Sequence, residues 1–410
     1  MSDKFTEDYL DLSLNDLKEE IKQNSLLDLG SKSSGSGGQK IPYKDGSIDK
    51  NKYLQKVVEL HFNEEYGSPY WIEKKEQLDF DPVKEINTFD DLKYLPEADQ
   101  EALKSRRLEE FVPKIYNKVV DGDTVLDKEK IEISKSSGTT GTRKVMPWSK
   151  YVSDEMGEFY SYNLEINNQE KGSNWLVCGP YGLYEKHLER AGHKRDGFVY
   201  FTGVETRNLK KRLGGLKKIS QSYKHLLNPK TVWNAVKGAA TLKPTMTALK
   251  DDIESQDFQN LASSPAIIDK IHGLLESPES NTDPEDITTI LISGTGIDNN
   301  TLDHLSSKYR NADIIPMYAT SLTGPAFDHP DEEDISYYPL SPLVEFDVID
   351  GERVGESETV EYEERGRVII HRIGEDFFWP NQAERETAIL KPSLEPFEWN
   401  GVSKIRPFRS

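Results

Sequence analysis

Between residues 50 and 113 the apolar positions fall at helical spacing interrupted by loops. The stretch KYLQKVVELHFNEEYG opens this region, and TFDDLKYLP marks Thr88 as the cap of a short helix that Pro96 ends. Beyond it, apolar runs of strand length alternate with helical segments. KIEIS predicts a strand running into a hydroxyl-rich loop, SNWLVCGPYG a buried strand ending in a turn, and DGFVYFTG another strand. DITTILISGTG reads as a strand, and DNNTLDHLSSKY after it as a helix with Leu302, Leu305 and Tyr309 on one face. ADIIPMYATS gives the next strand. Strands alternating with helices predict a largely parallel α/β sheet. In the C-terminal third, VEFDVIDGERVGESETVEYEERGRVIIHRI alternates with period two between acidic turns, the pattern of an antiparallel meander.

Composition narrows the class. The chain has 410 residues, 35% hydrophobic and 30% charged, which suits a well-solvated globular protein with a large core. No run approaches the roughly 18 apolar residues of a membrane span. The first twenty residues are acidic and lack an apolar core, so no secretory signal is expected there and cytoplasmic residence is the expectation. Cys178 is the single cysteine, which excludes an internal disulfide framework and a cysteine-based zinc site. A net charge of −20 argues against nucleic acid as a partner. The charge is unevenly spread: Arg207 to Lys250 contains eleven Lys or Arg and no Asp or Glu. There, Leu209, Leu213, Leu216, Ile219, Tyr223 and Leu226 recur at helical spacing among the cations, with a bend expected at Gly214 and Gly215. Such an element suits an anionic membrane surface, an acidic partner such as an acyl carrier protein, or a solvated lid. GSKSSGSGGQK, residues 30–40, reads as a flexible linker behind a short N-terminal arm.

The densest candidate chemistry lies in ISKSSGTTGTRK, Ile133 to Lys144. Gly138 and Gly141 let the backbone approach an anion, while Ser136, Ser137, Thr139 and Thr140 add hydroxyl donors. Arg143 and Lys144 supply positive charge. A loop of this kind after a strand is suited to polyphosphate, although it does not satisfy the Gly-x4-Gly-Lys-Ser/Thr pattern. A solvated Ser/Thr turn is the competing explanation.

The same segment resembles the signature of the adenylate-forming superfamily: an apolar residue, two spacers, then Ser-Ser-Gly-Thr-Thr-Gly-x-x-Lys, departing only at Arg143, where proline is common. INTFDDLKYLP is similar to the entry segment of phenylacetate–CoA ligases, and LASSPAIIDKI with ILISGTG to the helix and strand before the adenine pocket. MYATSLTG stands where the family has Tyr-Gly-x-Thr-Glu, and PLVEFDVIDGERVG with ERGRVIIHRI resembles the β-region beyond. The resemblance spans about residues 55–390 and is faintest from 205 to 260. It implies an α/β fold, the large N-terminal domain of adenylate-forming enzymes, with layered sheets and a distorted antiparallel β-region. It also implies ATP, Mg²⁺, a carboxylic acid substrate, and CoA or a carrier-protein thiol as acceptor. By the same resemblance, the loop and Lys144 would neutralise departing pyrophosphate, Ser293, Gly294, Thr295 and Gly296 would line the adenine pocket, Tyr318 would stack on the base, and Thr320 or Ser321 would touch the α-phosphate.

The pattern breaks in three places. The family's metal-holding glutamate falls at Leu322, which cannot ligate a hard cation. The ribose-binding aspartate lacks its usual frame; GEDFFWPNQAERETA offers Asp376, Glu384 and Glu386 instead. About twenty residues follow Ala388, so most of the family's small C-terminal domain is expected to be missing, with Lys404 a weak stand-in for its lysine. These departures fit the phenylacetate–CoA ligase and acyl-protein synthetase-like branches, or a nucleotide-binding descendant that has lost turnover. The expected organisation is an arm and linker over 1–40, a core over 41–390 with the basic insertion at 207–250, and a tail over 391–410. Cys178 is read as a buried thiol before a carrier thiol, His187 and His193 as solvated loop residues before substrate contacts, and His371 as structural.

Overall fold

Asp49 caps the first described helix, its carboxylate accepting from the N–H groups of Asn51 and Lys52 at 3.0 and 3.1 Å. In this computed structural model the described residues are 49–120, 123–127, 129–135, 144–179, 183–202, 247, 249–294 and 297–408. The linker at 30–40 and nearly all of the basic stretch at 207–250 therefore lie outside the described residues, as do Ser136, Ser137, Gly138, Thr139, Thr140, Gly141, Thr295 and Gly296. The chain divides into two compact units, Met1–Tyr162 with Tyr318–Ser410, and Asn163–Met317.

The first unit opens with α1, Lys50–His61, which buries Tyr53, Leu54, Val57, Val58 and Leu60 at helical spacing. Pro69 starts α2, Pro69–Lys75, where its missing N–H and fixed φ suit a first turn. The Thr88 segment forms a 3₁₀ turn, Phe89–Tyr94, whose Asp91 carboxylate accepts from the Thr88 N–H at 2.8 Å. Strands β1, Asn117–Val120, and β2, Asp123–Leu126, make a small antiparallel hairpin. A second hairpin joins β3, Ile131–Lys135, to β4, Val145–Ser149, in register from Ile131 opposite Ser149 to Lys135 opposite Val145. Ser149 ends β4, and its hydroxyl accepts from the Val152 N–H at 3.1 Å, starting α3, Lys150–Ile166.

The second unit is the parallel α/β part. Its strands are β5, Trp175–Val177, β6, Val199–Phe201, β7, Asn260–Ser263, β8, Thr289–Ser293, and β9, Asp313–Thr320, which carries the chain back into the first unit. They run parallel in the order β6-β5-β7-β8-β9. Between them run α4, Leu183–Lys194, α5, Pro265–Leu275, and α6, Asn299–Lys308. Strand β7 is buried at every position and β8 at four of its five, which matches a sheet covered on both faces. The core joins Leu176, Leu261, Ile290 and Ile292 to Ile267, Ile268 and Ile271 of α5, and to Leu305 and Tyr309, with Leu302 packed at its margin. Burying each such side chain contributes about 1.5–3 kcal/mol.

On returning to the first unit the chain becomes antiparallel, as the period-two pattern predicts. Strands β10, Gly324–Asp328, β11, Ser336–Tyr338, β12, Val344–Ile349, β13, Arg365–Ile373, β14, Phe378–Lys391, and β15, Gly401–Pro407, lie in the order β12-β13-β14-β15-β11-β10. Residues 391–410, read above as a tail, include β15, which pairs with both β14 and β11. An aromatic cluster of Phe62, Tyr70, Trp71, Phe111, Phe377, Phe378 and Trp379 ties α1 and α2 to β14, with ring centroids 4.9–6.3 Å apart. Such pairs add about 0.5–1.5 kcal/mol each beyond area burial.

Candidate active site

Of Ser136 to Lys144, the anion-binding part of the run, Lys144 is the residue that is described. Lys144 is half-buried, and its ammonium donates to Gln100 Oε1. Burial lowers its pKa; Glu384 opposes the shift, while Lys104 and Arg385 reinforce it. Glu384 stands on β14, in a bulge that sequence reasoning missed. Ala383 pairs with Ile369 and Thr387 with Arg367, so Glu384, Arg385 and Glu386 oppose Val368 alone. Arg367 Nε braces this bulge from β13 by donating to the Glu384 carbonyl at 3.0 Å, and the Phe408 N–H donates to the Arg385 carbonyl at 2.7 Å. A bulge needs a partner strand to define it, so nothing in the local sequence marks it.

The bulge carries two carboxylates that lie within each other's field. Burial pushes Glu384 up to about 7, with Glu386 adding to the shift and Lys144 opposing it. Glu386 is raised by burial too, and the Tyr318 hydroxyl and Arg385 oppose the shift. Burial raises the Tyr318 phenol well above its ordinary range, and both glutamates contribute. The Tyr318 ring is half-buried, its centroid 6.0 Å from each of Tyr337 and Phe346. Glu384 is therefore felt by both Lys144 and Tyr318, and Glu386 by Tyr318.

After Tyr318 the chain makes a closed turn. Thr320 Oγ1 accepts from the N–H groups of Leu322 at 3.2 Å and Thr323 at 3.1 Å. Ser321 is half-buried, and Leu322 is buried, an apolar anchor where the resemblance places a metal-holding glutamate. Asp376 is also buried, taken up by Arg372, whose Nη2 donates to its oxygens at 3.1 and 3.4 Å, and by the Ser149 N–H at 2.5 Å. Of the three substitutes for the ribose-binding aspartate, Glu384 and Glu386 stand beside Tyr318, and Asp376 is committed to the core. Among the described residues no group of three or more His, Cys, Asp or Glu is arranged to hold a metal ion.

Ser293 and Gly294 lie in the second unit at the end of β8, Gly294 with φ +135, a conformation that favours glycine. Cys178 is buried in the same unit, and burial pushes its thiol up to about 12, the opposite of an activated carrier thiol. His187 is not a solvated loop residue: it is buried within α4, whereas His193 is exposed near the end of that helix. His371 is buried on β13, 3.1 Å from Asp347 Oδ2, which fits a structural role. Lys404 is exposed and pairs with Asp334 at 2.8 Å. No helix among the described residues is long and apolar enough to cross a membrane.

No family model and no curated protein matches the chain. Solved structures do. An open conformation of 2-hydroxyisobutyryl-CoA ligase, in complex with 2-HIB-AMP and CoA, superposes with a TM-score of 0.59 at 11% identity, covering 88% of this chain and 74% of that one. The same ligase in its thioesterification state gives 0.59 at 12% identity, covering 88% and 68%. Its postadenylation state with 2-HIB-AMP gives 0.57 at 11%, covering 88% and 66%. At such identity the likeness carries the fold alone. The chain has the mixed α/β fold of the adenylate-forming enzymes.

Proposed function

We propose that this chain activates a carboxylic acid with ATP. A carboxylate oxygen attacks the α-phosphorus, the bond to the β-phosphate oxygen breaks, and pyrophosphate leaves behind an acyl-adenylate. A thiol of CoA or of a carrier protein then attacks the acyl carbonyl and releases AMP. The observation that carries this is that one carboxylate, Glu384 of the β14 bulge, couples electrostatically to both Lys144 and Tyr318. Lys144, with the hydroxyl-glycine run before it, would neutralise charge on departing pyrophosphate. Tyr318 would stack on the base, and the bulge carboxylates would accept hydrogen bonds from ribose hydroxyls. Thr320 and Ser321 would approach the α-phosphate through their turn, and Ser293 to Gly296 would line the adenine pocket. Mg²⁺ would enter on the phosphates of ATP as part of the substrate. An aromatic or fatty acid, as in the phenylacetate–CoA ligase and acyl-protein synthetase-like branches, is the substrate class we favour.

Isothermal titration with ATP, together with pyrophosphate release across a panel of aromatic and fatty acids, tests this. Absence of nucleotide binding at millimolar ATP would remove it. Leu322, buried where a carboxylate is expected, favours one second possibility, a nucleotide-binding descendant without turnover. Tight AMP binding with no pyrophosphate released from any acid selects that alternative.

A further inference from the structure

The turn after Tyr318 is tied to the indole of Trp148. Thr323 donates its hydroxyl proton to the Gly324 carbonyl at 2.7 Å, which leaves the Thr320 hydroxyl to donate to Thr323 Oγ1 at 3.0 Å. With these polar groups satisfied inside the turn, the Ser321 carbonyl looks outward and accepts from Trp148 Nε1 at 3.3 Å. The far end of the turn meets the same ring. Gly324 has φ +69, and a Cβ there would stand 3.4 Å from Trp148 Cη2 and 2.9 Å from Met156 Cε. The indole thus meets the turn at Ser321 by a hydrogen bond and lies, with Met156, in the space where a Gly324 side chain would go.

Trp148 is itself held. The guanidinium carbon of Arg372 lies 4.4 Å from the indole centroid, and Arg372 is completely buried. Asp376 fixes that guanidinium and also accepts from the N–H of Ser149, the residue next to Trp148. The links Trp148 to Arg372, Arg372 to Asp376 and Asp376 to Ser149 close a ring around the end of β4. Gly374 leaves room for it, since a Cβ there would stand 2.4 Å from Asp376 Oδ1 and 2.6 Å from Arg372 Nη1. Lysine in place of Arg372 offers no plane to stack on the indole.

We infer that Trp148 is a positioning residue: it holds the Thr320–Gly324 turn in place behind Tyr318, and Arg372 sets the plane of its ring. This rests on the ligase reading and deepens it, because it names what orients the segment that would approach the α-phosphate. A group that positions and does not bind alters kcat more than KM.

The test is Trp148→Phe, which keeps a ring for Arg372 but removes the N–H donor, with Arg372→Lys as a second variant. Expected for Trp148→Phe is a fall of about tenfold in kcat for acid-dependent pyrophosphate release, with KM for ATP changed less than about twofold. Hydrogen exchange at the amides of Leu322 and Thr323 should speed by a similar factor, with the amides of α1 unaffected. Arg372→Lys should move the same two readouts in the same direction. Unchanged exchange at Leu322 and Thr323 overturns the proposal. So does acceleration spread evenly through α1 and β13, which would make Trp148 merely structural. Should the unsubstituted protein release no pyrophosphate from any acid, the ligase reading fails by itself, and the exchange comparison still decides whether Trp148 holds the turn.

Discussion

Lys144 and Glu384 stand within each other's field, and burial pushes each toward its neutral form while the partner's charge resists it. The sign of the coupling gives a prediction. Removing the negative charge in Glu384→Gln takes away the group that holds the Lys144 pKa up, so Lys144 loses its proton at lower pH. The alkaline limb of the rate of pyrophosphate release should therefore move to lower pH in that variant. Lys144→Ala should lower the rate by about 100-fold at every pH. An alkaline limb left where it was in Glu384→Gln would show that Lys144 does not set it.

His61 predicts an acid weakness. Its Nε2 lies 2.9 Å from the Gly374 carbonyl, so Nε2 carries the proton, and Nδ1 accepts from the Ser68 hydroxyl at 2.9 Å. Burial lowers its pKa to about 3, below the ordinary value near 6.5. The unfolded chain therefore binds a proton in this window that the folded chain does not, and stability falls as pH drops from about 6.5 toward 3. The slope contributed is up to about 1.4 kcal/mol per pH unit. Urea denaturation of His61→Gln should show lower stability at pH 7 and a shallower acid slope than the unsubstituted protein.

Cys178 should be chemically silent. Its burial and raised pKa predict no alkylation by iodoacetamide in the folded protein and full alkylation in denaturant. Cys178→Ala should cost about 1 kcal/mol of stability and leave pyrophosphate release and acyl transfer intact. Loss of transfer with stability retained would return the carrier-thiol role to this residue.

Gly324 should resist substitution. Its φ of +69 strains any other residue, and the space for a Cβ is taken by Met156. Gly324→Ala is expected to destabilise by about 1–3 kcal/mol. Adding Met156→Ala should relieve the contact and not the backbone strain, so a double variant as stable as the unsubstituted protein would refute the conformational part. Thermal unfolding of Gly324→Ala, Met156→Ala and the double variant measures both terms.

The elements legible in the sequence are those whose apolar period is complete within one segment. Strands β3, β5, β6, β8 and β9, the face of α6 and the meander of β12 and β13 all announce themselves this way. Strand β4 did not, because Pro147 sits within it; in a two-stranded ribbon that position tolerates the missing donor. His187 misled because YEKHLERAGHKR is so polar, yet α4 buries the stripe of His187, Leu188 and Ala191. At the site, Lys144 and Tyr318 could be found from local motifs. The choice among Asp376, Glu384 and Glu386 could not, since it depends on a bulge opposite β13 and on Arg372 claiming Asp376. Nor does any local pattern join Trp148 to Ser321, which stand 173 positions apart.

The division of the chain has a consequence for how it comes off the ribosome. The unit formed by Asn163–Met317 is continuous, so it can collapse as soon as its last strand emerges. The other unit must wait: Tyr53 reaches its acceptor, the Ile373 carbonyl, across 320 positions, and Trp71 reaches Phe378 across 307. Until β13 and β14 are synthesised, the aromatic side of α1 and α2 has nothing to cover it. During translation that nascent half is the part most in need of a chaperone.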